Sequence, residues 1–103
     1  MIRVIFESGE DIYLAKGESL PLTTPVSVAI PGMAYGTLIH RLHIETISGT
    51  PFLVRNPGVF MAKGFIVDQG PLQNGPVETY IFNLSNLNVR VSKGESISSL
   101  IVL

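Results

Sequence analysis

Apolar and polar residues alternate with a period of two along most of this chain, and turn-forming residues break the alternation at short intervals. Met1 to Phe6 reads as a strand with Arg3 on its outward face, followed by a turn at Ser8-Gly9-Glu10-Asp11. Ile12 to Ala15 is a second strand, closed by the polar turn Lys16 to Ser19. Pro21 and Pro25 flank a stretch expected to be irregular. Ser27 to Ile30 is a strand stopped by Pro31-Gly32. The longest extended run is Tyr35 to Ile47. It places Leu38, His40, Leu42, Ile44 and Thr46 on one face, and Ile39, Arg41, His43, Glu45 and Ile47 on the other. The second face is more polar, which suits a strand that is half solvated or faces another subunit. Ser48 to Pro51 turns the chain, and Phe52 to Arg55 is a strand broken by Asn56-Pro57-Gly58. One helical turn is the competing reading at Val59 to Lys63, bounded by Gly58 and Gly64. Phe65 to Asp68 is a strand, and Gln69 to Pro76 reads as a loop by its turn residues. Pro76 to Leu103 then forms three short strands split by two turns.

Helix signals are otherwise missing. Seven Pro and ten Gly punctuate the chain at about 8–12-residue intervals, the spacing of an all-β sandwich or barrel. A length of 103 residues predicts a single domain over 1–103. Charged residues are only 15% of the chain, against about 25% in soluble domains. Mean hydropathy is +0.40. Such a composition implies that part of the surface faces another subunit rather than water. Net charge is −1, and the seven Lys and Arg are scattered. Nucleic-acid binding is therefore disfavoured, because that class needs a basic stripe to neutralise phosphate. Cysteine is absent, which removes disulfide and thiolate chemistry. Neither a membrane span nor a signal peptide is expected, since Glu7, Glu10 and Asp11 interrupt the apolar start.

The segment Lys93-Gly94-Glu95-Ser96-Ile97-Ser98-Ser99-Leu100-Ile101 resembles the fourth motif of the trimeric dUTPases, Lys-Gly-(Asp/Glu)-Arg-Ile-Ala-Gln-Leu-Ile. Ser8-Gly9-Glu10-Asp11-Ile12-Tyr13 is similar to the first motif, keeping its Gly, Asp and last Tyr. Val28 to Gly32 and the strand ending Leu42-His43-Ile44 look like the Ile-Pro-Pro-Gly turn and the strand after it. Val54-Arg55-Asn56-Pro57 resembles the second motif, with Asn56 at the phosphate-binding Ser. Phe82-Asn83 matches the Phe-Asn before the fourth motif. The resemblance implies an all-β, dUTPase-like β-clip or distorted jelly-roll barrel, assembled as a homotrimer with sites between subunits.

The same resemblance locates what is changed. Gln73 stands where the third motif carries its water-activating Asp, and that motif's Tyr has no counterpart. Ser96 and Ser99 replace the Arg and Gln of the fourth motif, and the glycine-rich fifth motif would begin beyond Leu103. Arg55, Asn56, Gln73, Ser96 and Ser99 are thus the vestigial nucleotide-binding set. A glutamine has no basic site at neutral pH and cannot act as the carboxylate base. Asp68 and Asp11 are the substitutes to consider, with turn roles as their ordinary reading. Asp11 with Glu10 offers too few oxygens for a specific cation site. His40 and His43 point to opposite faces and do not ligate one metal. Arg41, His43 and Glu45 fit a cross-strand polar cluster. Ser98 and Ser99 lack a nearby His base pattern, so a serine nucleophile is not expected. No cofactor and no metal is expected.

The apolar ending Ile97, Leu100, Ile101, Val102 and Leu103 is expected to dock on a neighbouring subunit. Two functions from different classes follow. One is a non-catalytic trimer acting as a structural or binding protein, such as a capsid decoration on a viral or phage major capsid protein, located in the virion or host cytoplasm. The other is a diverged nucleotide pyrophosphohydrolase, or a nucleotide-binding regulator that does not hydrolyse.

Overall fold

A computed structural model describes residues 1–56 and 65–103. The helical-turn reading at 59–63 lies outside the described residues. Among the described residues eleven strands occur, in the order β1 Ile2–Phe6, β2 Asp11–Leu14, β3 Ser19–Thr23, β4 Val28–Ile30, β5 Tyr35–Thr46, β6 Pro51–Arg55, β7 Phe65–Val67, β8 Gly70–Pro71, β9 Gly75–Asn83, β10 Val89–Val91 and β11 Ser96–Val102. Three antiparallel sheets result, ordered β2-β1-β5-β9-β7, β3-β11-β6-β8 and β10-β4. No helix occurs among the described residues, so none is long and apolar enough to cross a membrane.

Two stretches expected to be irregular contain strands. The stretch around Pro21 is not irregular but the edge strand β3, with Pro21 opposite Ser99. An edge strand tolerates proline because one row of its backbone groups needs no partner. The run 69–76 is not all loop either. Gly70–Pro71 pairs with Phe52 and Leu53, and β9 already begins at Gly75.

The period of two decides what is buried. Along β5 the residues Leu38, His40, Leu42 and Ile44 are buried while Ile39, Arg41, His43 and Glu45 are exposed. Inward side chains gather into two apolar clusters rather than one. The first joins Ile2, Val4, Leu42, Ile44, Leu100 and Val102 with their neighbours. The second joins Ile30, Leu38, Val67, Ile81, Val91 and Ile97 with theirs. Burying each such side chain stabilises the fold by about 1.5–3 kcal/mol.

A polar seam divides these clusters. His40 lies between Leu38 and Leu42 on β5, Thr79 between Val77 and Ile81 on β9, and Ser98 between Ile97 and Leu100 on β11. A register shift between Ser96 and Ser98 turns both Ile97 and Ser98 inward; such a bulge upsets strict alternation. The His40 Nδ1 lies 2.9 Å from the Thr23 carbonyl oxygen, and Nε2 lies 2.7 Å from Thr79 Oγ1. Thr79 Oγ1 is in turn 2.9 Å from Ser98 Oγ. A carbonyl can only accept, so Nδ1 carries the proton. In the neutral ring Nε2 therefore accepts from Thr79, which accepts from Ser98. Every buried polar side-chain atom among the described residues has a partner.

Asn83 closes the far end of the sandwich. Its buried Nδ2 shares its two hydrogens among the carbonyls of Ile30 (3.1 Å), Pro31 (3.1 Å) and Leu87 (2.8 Å). Its Oδ1 accepts from Ser85 N–H (3.0 Å) and Ser85 Oγ (2.8 Å). One side chain thus ties the 84–88 loop to the Pro31-Gly32 turn. The two approach so closely that a Cβ on Gly32 would lie 2.6 Å from the Asn86 carbonyl carbon.

Candidate functional site

Antiparallel pairing of β6 with β11 sets Arg55 opposite Ser98, and the chain runs on to Asn56. The Asn56 N–H donates to the Ile97 carbonyl at 2.8 Å, which anchors its side chain over the start of β11. Its Nδ2 then reaches Ser96 Oγ at 3.1 Å, and Ser99 Oγ donates to its Oδ1 at 2.7 Å. Asn56, Ser96 and Ser99 are therefore brought together, as the sequence placed them, in one half-buried triad. The triad carries no charge and its members satisfy one another. Arg55 lies beside it with an exposed side chain, its backbone N–H held by Gln69 Oε1 at 3.0 Å.

Gln73 is not brought to this site within one chain. Leu72 N–H bonds the Pro51 carbonyl at 2.9 Å, and Asn74 Oδ1 accepts from Thr46 N–H at 2.8 Å. Both contacts hold Gln73 at the opposite end of β6, roughly 13 Å of strand from Arg55.

Asp68 and Asp11 also lie apart, at opposite edges of the five-stranded sheet. Four strand spacings, roughly 19 Å, separate them, so one chain cannot use them as a pair. Asp11 accepts from Arg3 Nε at 2.7 Å, and Arg3 Nη1 also reaches Glu45 at 3.4 Å. The cross-strand polar cluster is thus built on Arg3, and the expectation of Arg41 and His43 joining Glu45 in it is corrected. The register explains this: Arg3 faces Tyr13 on β2 and Glu45 on β5. His40 and His43 do point to opposite faces, one buried and one exposed.

Asp68 lines an open cavity of about 230 Å³ with Gln69, Leu72, Glu78 and Tyr80. Its N–H donates to the Tyr80 carbonyl at 3.0 Å, and the Tyr80 hydroxyl reaches Glu78 Oε2 at 3.4 Å. Sequence reasoning missed Gln69, Glu78 and Tyr80. The signal was available, because Glu78, Tyr80 and Phe82 are alternate residues of one strand and must share a face.

Burial holds the His40 imidazole below its ordinary range, against smaller opposing effects of the Thr23 carbonyl and Glu78. The ring is a neutral structural element at physiological pH. The docking segment is corrected in part. Ile97 and Leu100 are 0% exposed and Val102 is 1% exposed within their own chain, so they fill its core. Leu103 keeps 53% of its surface, and Ile101 is half-buried.

No protein-family model matches the chain, and no curated protein matches it in sequence. Solved structures do match. The dUTPase of Staphylococcus bacteriophage 80alpha, as a mutant with dUpNHpp, superposes with a TM-score of 0.78 over 100% of this chain and 82% of its own, at 12% identity. The fold is that of the dUTPases. EIAV dUTPase matches at a TM-score of 0.74 and 14% identity, covering 100% of this chain and 88% of its own. A mutant dUTPase from phage phi11 of S. aureus matches at a TM-score of 0.78 and 10% identity, covering 100% and 90%. At these identities the likeness concerns the dUTPase fold alone.

Proposed function

We propose that this chain is a homotrimeric binding protein on the dUTPase fold that no longer hydrolyses nucleotides. The observation that carries the reading is the Asn56–Ser96–Ser99 triad. A phosphate site needs donors aimed at the ligand and positive charge to offset its own. In this triad the hydrogen-bonding groups are turned on one another and are uncharged. A virion surface is one setting for such a trimer, with a major capsid protein as its partner. Co-sedimentation with purified capsid shells tests that setting.

The apolar outer face of β5, β9 and β7 supports association. Tyr35 and Phe82 pair across the strands with ring centroids 6.1 Å apart, and Ile66 and Tyr80 extend the same exposed surface. A contiguous apolar face of this kind marks a contact surface. In sedimentation velocity at micromolar concentration the protein is expected to run at three times its 11.2 kDa chain mass. A monomer at that concentration removes the trimer from the proposal.

The Asp68 cavity favours a second reading, a diverged pyrophosphohydrolase in which Asp68 acts as base beside Glu78 and Tyr80. The two readings part in one assay. With dUTP and Mg²⁺, pyrophosphate release is expected to stay at the level of the protein-free control. Release above it that disappears in Asp68→Asn establishes the second reading.

A further inference from the structure

Three surface cavities, of about 450, 410 and 170 Å³, share one lining residue, Arg41. That residue is unusual in its backbone. Its φ is +58°, in the left-handed region that glycine occupies freely and that a long side chain occupies only under strain. The strain has a local origin. Between the pairs Ile39↔Glu78 and His43↔Pro76, β5 advances four residues while β9 advances two. The two additional residues bulge out of the ladder, and the Arg41 carbonyl is taken up by Glu7 N–H at 3.0 Å. Bulges that re-aim a side chain and residues held in strained backbone both concentrate at functional sites.

No carboxylate of the described residues pairs with the Arg41 guanidinium. Part of the wall around it is apolar: Phe6, Ile39, Leu42 and Pro76 line one cavity and Val26 and Val28 another, while Glu7, Ser8 and His40 line the third with Phe6. Glu7 is the acidic group on the rim, and His43 stands on the same strand face as Arg41. A carboxylate on the rim repels each negative charge a ligand carries, so the groove suits a monoanion better than a dianion.

We propose that this groove binds an organic monoanion, an apolar or aromatic body bearing one carboxylate, with the carboxylate on Arg41 and the body against Phe6, Ile39 and Pro76. The guanidinium offers a planar pair of donors that matches a carboxylate in two parallel hydrogen bonds. This site is distinct from the Asn56–Ser96–Ser99 triad, and the assignment stands whether or not the chain hydrolyses nucleotides.

The test uses the full chain, labelled with ¹⁵N and titrated with 4-phenylbutyrate. Saturable shifts are expected at Phe6, Ile39, Arg41, His43 and Val77, with affinity reduced about tenfold or more in Arg41→Gln, as for loss of one charge-assisted pair. Arg41→Gly is the decisive second variant. It is expected to raise Tm, because glycine relieves the left-handed strain, and at the same time to lose the ligand. A fold defect cannot produce that combination. Titration with 4-phenylbutanol and with phenyl phosphate is expected to give weaker binding than the carboxylate. The proposal is overturned if shifts are absent, if Arg41→Gln leaves them undiminished, or if either control binds as tightly. It is also overturned if Arg41→Gly alters the sedimentation coefficient, which would make Arg41 a subunit contact.

Discussion

Replacing Asn83 by alanine is expected to lower the free energy of unfolding by about 3–5 kcal/mol, one of the largest single losses available in this chain. The reason is the number of groups left without a partner. The buried amide serves the carbonyls of Ile30, Pro31 and Leu87 and the N–H of Ser85. Alanine removes all four contacts; the Leu87 carbonyl keeps Ser85 Oγ at 3.1 Å, while the amide's contacts to the Ile30 and Pro31 carbonyls lie at its buried end, where water replaces it poorly. Asn83→Asp is expected to be at least as damaging, since it would set a carboxylate against three carbonyl oxygens. Gly32→Ala loads the same junction from the other side, by pushing a methyl group into the Asn86 backbone. Overpacking of this kind costs about 1–3 kcal/mol. Because both changes act on one clamp, the double variant is expected to lose less than the sum of the two. Urea unfolding of the four proteins decides the matter. A loss below about 1 kcal/mol in Asn83→Ala would show that the clamp is not a determinant of stability.

Removing the hydroxyl of Thr79 is the second large effect. Valine keeps the shape of threonine but deprives His40 Nε2 of its donor and Ser98 Oγ of its acceptor. The expected loss is about 2–4 kcal/mol, the penalty of leaving two buried polar groups unpaired. The same seam fixes a pH dependence. In the folded protein burial lowers the His40 pKa, so the unfolded chain takes up a proton that the folded chain resists. Stability contributed by the neutral ring is thus complete above the unfolded value of about 6.5. It falls as pH drops from there toward the lower folded value. Protonation would also make Nε2 a donor and reverse the chain of hydrogen bonds through Thr79 to Ser98. Glutamine can donate to the Thr23 carbonyl and accept from Thr79 without titrating. In His40→Gln the slope of unfolding free energy against pH below about 6.5 is expected to flatten relative to the parent. An unchanged slope would assign the acid sensitivity to the carboxylates instead.

Strands and faces were legible because period-two alternation is a local property of the backbone. The burial of Leu38, His40, Leu42 and Ile44, and the exposure of their neighbours, follow from it directly. The exceptions have identifiable causes. β3 was obscured by Pro21, which an edge position tolerates. Ile97 and Ser98 face inward together because a bulge interrupts the count. The apolar ending was legible as something that must be covered, yet its cover is this chain's own core for Ile97, Leu100 and Val102.

By itself the sequence determined an all-β chain, the inward positions of its strands, and a family resemblance that the superposition on dUTPases supports at the level of fold. Through the motif resemblance it also grouped Asn56 with Ser96 and Ser99, in one candidate set with Arg55 and Gln73. Only the tertiary structure decided that those three side chains bond to one another, that Gln73 lies at the other end of β6, and that Asp68 shares a cavity with Glu78 and Tyr80. It alone set Arg41 in a strained bulge, as a lining residue of three cavities. The physical reason is the range of the interactions. Alternation and turn chemistry act between near neighbours in the chain. Strand register, bulges and the partners of a buried hydrogen bond are settled by residues brought together from far along it.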